Sequence, residues 1–221
     1  MDGIIRKSLS DQVAQKVKNQ ILNIELPPGT RLFVEDLAEK FNVSRTPIRE
    51  GLRELNAEGF VTYDNKTYKV SEYSITEIKD LFALRKILEV FAVRTATERM
   101  SDNKIKLLRK LCLSNNLIST GDDLYINFQN VDMNFHEIIG EGANIPQLSR
   151  FFTSVSERSW WIIRWLLESQ VSKSFSMQDT FDEHLAIVTA MENRDTEQVA
   201  KLMDEHMEKG EARILKMLEN L

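Results

Sequence analysis

From Ile75 to the end of the chain, apolar residues recur every three or four positions, with almost no helix breaker among them. No other feature constrains the fold as strongly, because this period commits each stretch to an amphipathic helix. Ile78, Leu81, Leu84, Leu88 and Phe91 mark one such face; Val199, Leu202, Met203, Ile214, Leu215 and Leu218 mark another. The breaks are short, and polar or glycine-containing: Ser101-Asp102, Gly121-Asp122, Gly142 and Asn193-Arg194-Asp195. The spacing predicts six helices, at 75–99, 102–119, 122–140, 144–169, 176–193 and 195–220, packed as an antiparallel all-α bundle. With 8 Gly and 4 Pro in 221 residues, a loop-rich or β-rich chain is excluded, and the fold class expected is mainly α.

Residues 1–70 have a different character. Val13, Val17, Ile21 and Ile24 follow helical spacing from Ser10, read as the N-cap. Leu26-Pro27-Pro28-Gly29-Thr30 is a rigid turn that cannot continue a helix. A short helix follows around Leu37, Ala38 and Phe41, then a tight turn at Asn42-Val43. Ser44 caps a third helix with Pro47 in its first turn, a buried stripe of Ile48, Leu52 and Leu55, and a stop at Gly59. Phe60-Val61-Thr62-Tyr63 and Tyr68-Lys69-Val70 flank the turn 64–67 as two strands. This order is that of a winged helix-turn-helix. The division expected is therefore a winged helix-turn-helix over 1–70, a linker at 71–74 and a helical domain over 75–221.

On the third helix Arg45, Arg49 and Arg53 stand four apart, beside the apolar stripe. A basic exposed helix face can enter a major groove and meet phosphates and base edges. The same face also reads as a solvated charged surface, since Glu50 and Glu54 are interleaved. The net charge of −5 does not decide between them, although residues 1–70 carry +1 and residues 71–221 carry −6.

The three histidines, His136, His184 and His206, all lie in the helical part, and Asp132 precedes His136 by one helical turn. Neutral imidazoles with one carboxylate suit a divalent metal, and a helical bundle can assemble such a site from separate helices. Three unrelated histidines, in the core or at the surface, would give the same spacing. The single Cys112 excludes an intramolecular disulfide framework. Residues 1–10 lack the apolar core of a secretory signal and no stretch is apolar enough to span a bilayer, so a cytoplasmic location without membrane contact is expected. As an enzyme, His136-Glu137-Ile138-Ile139-Gly140 begins like a zinc-protease H-E-x-x-H motif but has Gly where the second His belongs. A metal-dependent hydrolase would also need a base such as Glu183 or Glu205, and each neighbours a candidate ligand and points about 100° away from it on a helix.

The segments 26–32, Leu37-Ala38, Val43-Ser44-Arg45-Thr46-Pro47-Ile48-Arg49-Glu50-Gly51-Leu52 and Glu58-Gly59-Phe60-Val61 resemble the DNA-binding domain of GntR-family transcriptional regulators. The resemblance implies that Ser44, Arg45, Thr46 and Arg49 face operator DNA, with the wing residue Lys66 as a further contact; Arg53 joins them on the helical spacing alone. The chain departs from many members by Glu35 in place of an Arg, and by Asn65-Lys66-Thr67 where a wing-tip Gly is common. Residues 74–209 resemble the FCD effector domain of the FadR-type branch, with six helices as in its VanR-like members. The matching motifs are 80–89, Asp132-Met133-Asn134-Phe135-His136, 144–148 and Glu183-His184, with His206 at the final histidine. This implies a zinc, nickel or manganese ion on Asp132, His136, His184 and His206. It implies also a small carboxylate effector near Arg85, with Asn144 as a second candidate. The alternative for Arg85 is a salt bridge to Glu89, four residues on. A ligand-responsive homodimeric repressor on a two-fold operator is the function implied; a regulator that senses the metal itself is the alternative.

Overall fold

The computed structural model describes residues 8–113, 123–168 and 177–219. The chain divides into two compact units, Met1–Ser74 and Ile75–Leu221.

The first unit contains α1 (Leu9–Leu22), β1 (Arg31–Leu32), α2 (Val34–Phe41), α3 (Arg45–Ala57), β2 (Val61–Tyr63) and β3 (Tyr68–Val70). The N-cap of α1 is Ser8, not Ser10. The Ser8 hydroxyl accepts from the Asp11 N–H while the Asp11 carboxylate accepts from the Ser8 N–H, a reciprocal pair that Ser10 cannot form from inside the helix. α1 packs on α3 through Val13, Val17 and Ile21 against Ile48, Leu52 and Leu55, all buried. Gly51 permits this approach: a Cβ there would lie 3.0 Å from both the Ala14 nitrogen and the Ser10 carbonyl oxygen. Gly59, with φ +85°, ends α3 in the left-handed conformation that glycine adopts without strain.

The hairpin expected at 60–70 is the wing, and the sheet has a third strand: β1 pairs antiparallel with β3 in the order β1-β3-β2. Two residues are too few to show a strand period, so β1 was not legible as a strand. The expected linker is tied to the first unit. Ser71 Oγ and Tyr73 Oη both donate to the Gly59 carbonyl, at 2.8 and 2.6 Å, and the Ser71 N–H donates to Phe60 O.

The second unit comprises, among the described residues, α4 (Ile75–Arg99), α5 (Asp102–Leu113), α6 (Asp123–Gly142), α7 (Pro146–Glu168), α8 (Met177–Glu192) and α9 (Thr196–Leu218). These match the six expected helices; the ends expected at 119, 122, 169, 176 and 220 lie outside the described residues. One boundary moves. α6 runs on to Gly142 and α7 starts at Pro146, because Asn144 takes a left-handed φ of 52° that no helix accommodates, and Pro146 suits a first helical position.

α4 is the central element and packs against α6, α7 and α9. Its small residues Ala92 and Ala96 are fully buried, and Ala96 lies beside Gly142 of α6. Phe135, Ile139, Leu108, Ile187, Val188 and Met203 complete a continuous core. The turn between α8 and α9 is pinned to the end of α4, where Arg194 donates to the carbonyls of Thr97 and Met100, two of the acceptors a helix terminus leaves open. Asp195 caps α9 by accepting from the Gln198 N–H. α6 and α9 are thus held against α4, and α8 against α5 and α9. No helix among the described residues is long and apolar enough to cross a membrane.

Candidate metal centre and nucleic-acid interface

Asp132 and His136 project from one face of α6, His184 comes from α8 and His206 from α9. One ligating atom from each lies within 4.8 Å of those of the others, and all four residues are buried. Nε2 of His136 and Nε2 of His206 face each other at 3.3 Å. Asp132 Oδ1 lies 3.2 Å from His184 Nε2 and 4.0 Å from His136 Nε2.

The outward nitrogens explain this convergence. His206 Nδ1 lies 2.8 Å from Glu183 Oε2, and His136 Nδ1 lies 3.0 Å from Glu89 Oε1. The Glu183 carboxylate beside His206 Nδ1 holds the proton there and leaves Nε2 with its lone pair, whereas His136 Nδ1, though near Glu89, makes no aligned hydrogen bond. With both lone pairs turned inward, a cation would satisfy the two Nε2 atoms that stand 3.3 Å apart. Asp132 Oδ1 and His184 Nε2 are buried yet make no aligned hydrogen bond. The donor set therefore fits a divalent cation, three imidazole nitrogens and a carboxylate oxygen suiting zinc, nickel or manganese alike. Ligand atoms about 2.0–2.1 Å from one ion stand roughly 3–4 Å apart.

Electrostatics favours the same occupant. Burial pushes the His184 pKa below its ordinary value and that of His136 well below it, so both rings are neutral and offer lone pairs. Burial raises the Asp132 pKa, but the His184 imidazole 3.2 Å from its carboxylate outweighs this and brings it down to about 2. Glu89 is pushed up to about 7 by burial, against the pull of Arg85.

Arg85, on α4, both pairs with Glu89 and borders the site. Its Nε donates to Glu89 Oε1 at 3.2 Å, and its guanidinium lies over the Trp160 ring at 4.4 Å. Its Nη2 is buried with no hydrogen-bond partner. A small cavity of about 50 Å³ is lined by Arg85, Asp132, His136 and His206, together with Thr180 and Arg213. Asn144 is not among its lining residues. It is exposed at the turn after α6, where its carbonyl faces the Arg99 guanidinium, so the structure gives it a turn role and not a place in the site. Of the tryptophans, Trp160 packs on Arg85 and His136, Trp161 is core, and Trp165 is half-buried. The His184 ring stacks on Phe135 with centroids 3.8 Å apart, which gives that D-x-x-F-H phenylalanine its place.

Three residues of the site were not assigned to it from sequence. The spacing of Glu89 points to Arg85 and that of Glu183 to a hydrolytic base, yet both lie against histidines of other helices. Arg213 was not singled out at all. It bonds to Glu183 and donates to Thr180 Oγ1 at 3.2 Å. These pairings cross helices, and no spacing along one helix signals them.

In the first unit, Ser44, Arg45, Thr46, Arg49, Arg53 and Lys66 are all exposed. Ser44 is the N-cap of α3 by backbone conformation, but its side chain makes no capping hydrogen bond. Arg49, Arg53 and Lys66 border one concavity of about 430 Å³ between α3 and the wing, with Tyr63 and Asn56 on its walls. Lys66 is held there by Asp64, whose side chain accepts the N–H groups of Lys66 and Thr67, and Asn65 takes the left-handed φ of 68° in place of a glycine. Arg45 lies 3.2 Å from Glu35, an exposed pair of at most about 1 kcal/mol that leaves Arg45 available to another partner.

Known proteins match both halves. Residues 9–67 match the bacterial regulatory proteins of the gntR family, and residues 80–209 match the FCD domain. The chain is 32% identical over 196 residues to the Nta operon transcriptional regulator of Aminobacter aminovorans, covering 86% of this chain and 87% of that protein. This chain belongs to the GntR family of transcriptional regulators. The HTH-type transcriptional repressor NanR of Klebsiella aerogenes is 30% identical, covering 92% of this chain and 84% of its own. Among solved structures, E. coli McbR/YncC shares the fold with a TM-score of 0.74, at 24% identity over 96% of this chain and 100% of that one. A putative GntR regulator from Rhodococcus sp. RHA1 gives 0.77 at 19% identity, covering 95% of this chain and 98% of that one. This GntR protein with an FCD domain is thus a transcriptional regulator and not an enzyme, and the hydrolase alternative falls.

Proposed function

We propose that this GntR regulator is a homodimeric cytoplasmic repressor whose operator affinity is set by a small carboxylate bound beside a divalent metal. The observation that carries the effector half is Arg85. A buried guanidinium nitrogen without an acceptor costs roughly 1–3 kcal/mol, and a carboxylate in the adjoining cavity would supply that acceptor. Asp132, His136, His184 and His206 would hold the ion, and the ion would add positive charge facing the same cavity. Repression is the mode of NanR and of GlaR from Escherichia coli, both named as transcriptional repressors.

α3 supplies the operator contacts in this reading. Arg45 and Arg49 would read base edges; Ser44, Thr46, Arg53 and Lys66 would meet phosphates or add wing contacts. The dimer is supported by α4, where Leu84, Ile87 and Phe91 lie on one face and are 45, 66 and 52% exposed. A second copy offers the same stripe about a two-fold axis. Effector binding changes operator affinity only if it favours one arrangement of the dimer.

Two measurements test this. Arg49→Ala should cost about 1–3 kcal/mol of discrimination between operator and scrambled DNA in a binding titration; undiminished specificity removes Arg49 from the readout. Arg85→Ala should abolish the thermal shift of metal-loaded protein by small carboxylates while sparing metal content. Shifts that persist in the variant would leave Arg85 a structural residue. A change in operator affinity produced by metal alone, with no carboxylate giving a shift, would make the metal itself the signal.

A further inference from the structure

Among the described residues, four glycines lie in helices, and three of them have a packing reason. A Cβ at Gly51 would press on the α1 backbone, at Gly140 on the Phe152 ring and at Gly142 on the Met100 side chain. At Gly210, well inside α9, it would meet nothing within 4 Å. A glycine within a helix is less stable than an alanine there, and no neighbour of Gly210 in the chain requires one.

Gly210 does line the cavity beside the four ligating side chains. His206, Met207, Arg213 and Ile214 line it from the same helix. At about 100° per residue these five positions span roughly 120° of α9, and Gly210 stands at their centre. The empty space at its Cβ position therefore belongs to the cavity. The lining residues are buried except Ile163, Gly210 and Arg213, which are half-buried, so the cavity meets solvent beside these three. α4 and α9 run antiparallel, with Lys86 paired to Glu208 and Arg94 to Glu197, which places Phe82 at the same end as Gly210. Phe82, Met207 and Ile214 make the walls there apolar, and Arg213 is already engaged by Glu183 and Thr180.

We infer that Gly210 sets which carboxylates this site accepts: its missing side chain leaves the passage for the effector's body, and that body is short and apolar. This rests on the carboxylate reading of Arg85, whose buried, unpartnered Nη2 fixes the inward end of the ligand. The cavity, at about 50 Å³, holds about three or four water-sized groups. A carboxylate and its first carbon fill it, and each further carbon runs outward past Gly210. A methyl group on Gly210 stands where that carbon would lie.

The test titrates full-length, metal-loaded protein calorimetrically with acetate, propanoate and butanoate. The wild type should bind each longer acid about fourfold tighter, the gain for burying one methylene. Gly210→Ala should bind butanoate at least about fivefold more weakly, hold acetate within about twofold and keep its metal content. Gly210→Val, stiff at χ1, should widen the gap between the two acids. Without ligand, the helical unit of Gly210→Ala should melt about 1–4 °C higher, since the helix gains an alanine. A glycine kept for packing would not give higher stability together with weaker binding of the longer acid. Butanoate affinity unchanged in both variants, a wild type that prefers acetate, or a lower melting temperature in Gly210→Ala overturns the inference. If none of the acids binds the wild type, or binding is insensitive to Arg85→Ala, the underlying carboxylate reading fails instead.

Discussion

His184→Ala should lower metal affinity by at least about 100-fold, and dialysed protein should lose most of its metal. Removing even an outer partner of a ligating histidine costs about 10–100-fold, and His184 offers a ligating atom itself. The ring is fully buried and stacked on Phe135, so its loss also leaves a void beside the core. Asp132→Asn keeps the side-chain volume and separates lost ligation from lost packing. Elemental analysis after dialysis, with a competition titration against a chelator, measures both variants. Metal content equal to the wild type in both would sink the four-ligand site. The metal-dependent rise in melting temperature should vanish in parallel, since an ion stabilises only the state that binds it.

The second large effect concerns the DNA-binding unit. Gly51→Leu should destabilise it by about 3 kcal/mol or more, the upper end of what overpacking a close contact costs. The reason is geometric. The contacts a Cβ would meet at 3.0 Å are backbone atoms of α1, which cannot rotate away as a side chain can. A unit of this size holds little reserve stability. In calorimetry of the full chain, the first unit should melt at lower temperature while the transition of the helical unit stays in place, and operator binding should be lost. An unchanged first transition would mean that α1 and α3 separate cheaply.

The two predictions differ in how they could be foreseen. The histidines were legible as candidates because their number is small and Asp132 and His136 share a helix face. Their convergence was not, because it depends on how α4 holds α6 and α9 and how α9 holds α8. Gly51 lay in a recognisable motif, yet only the packing of α1 on α3 gives its small size a reason. Asn144 shows the opposite outcome. Its place in a family motif suggested ligand contact, and a left-handed φ of 52° at the end of α6 gives it a turn to make. For Arg85 the two readings offered by sequence do not compete: Nε serves Glu89, and Nη2 remains for the cavity.

What the sequence determined by itself is the local part of this protein. Apolar period, sparse glycine and proline, and short polar breaks specify six helices after Ile75 and a winged helix-turn-helix before it, since these signals act within a turn or two of chain. They also place the basic residues of α3 on its solvent face. What only the tertiary structure decided is every relation between elements: β1 joining the wing, Ser71 and Tyr73 tied to Gly59, Glu89 and Glu183 turning histidines on other helices, and Arg213 standing at the mouth of the cavity. Such contacts join residues far apart in the chain, 70 positions for His136 and His206 and 97 for Thr97 and Arg194, and no helical period carries across that distance. The charge on each helix was readable from the start; which charges face one another became a property of the packed core.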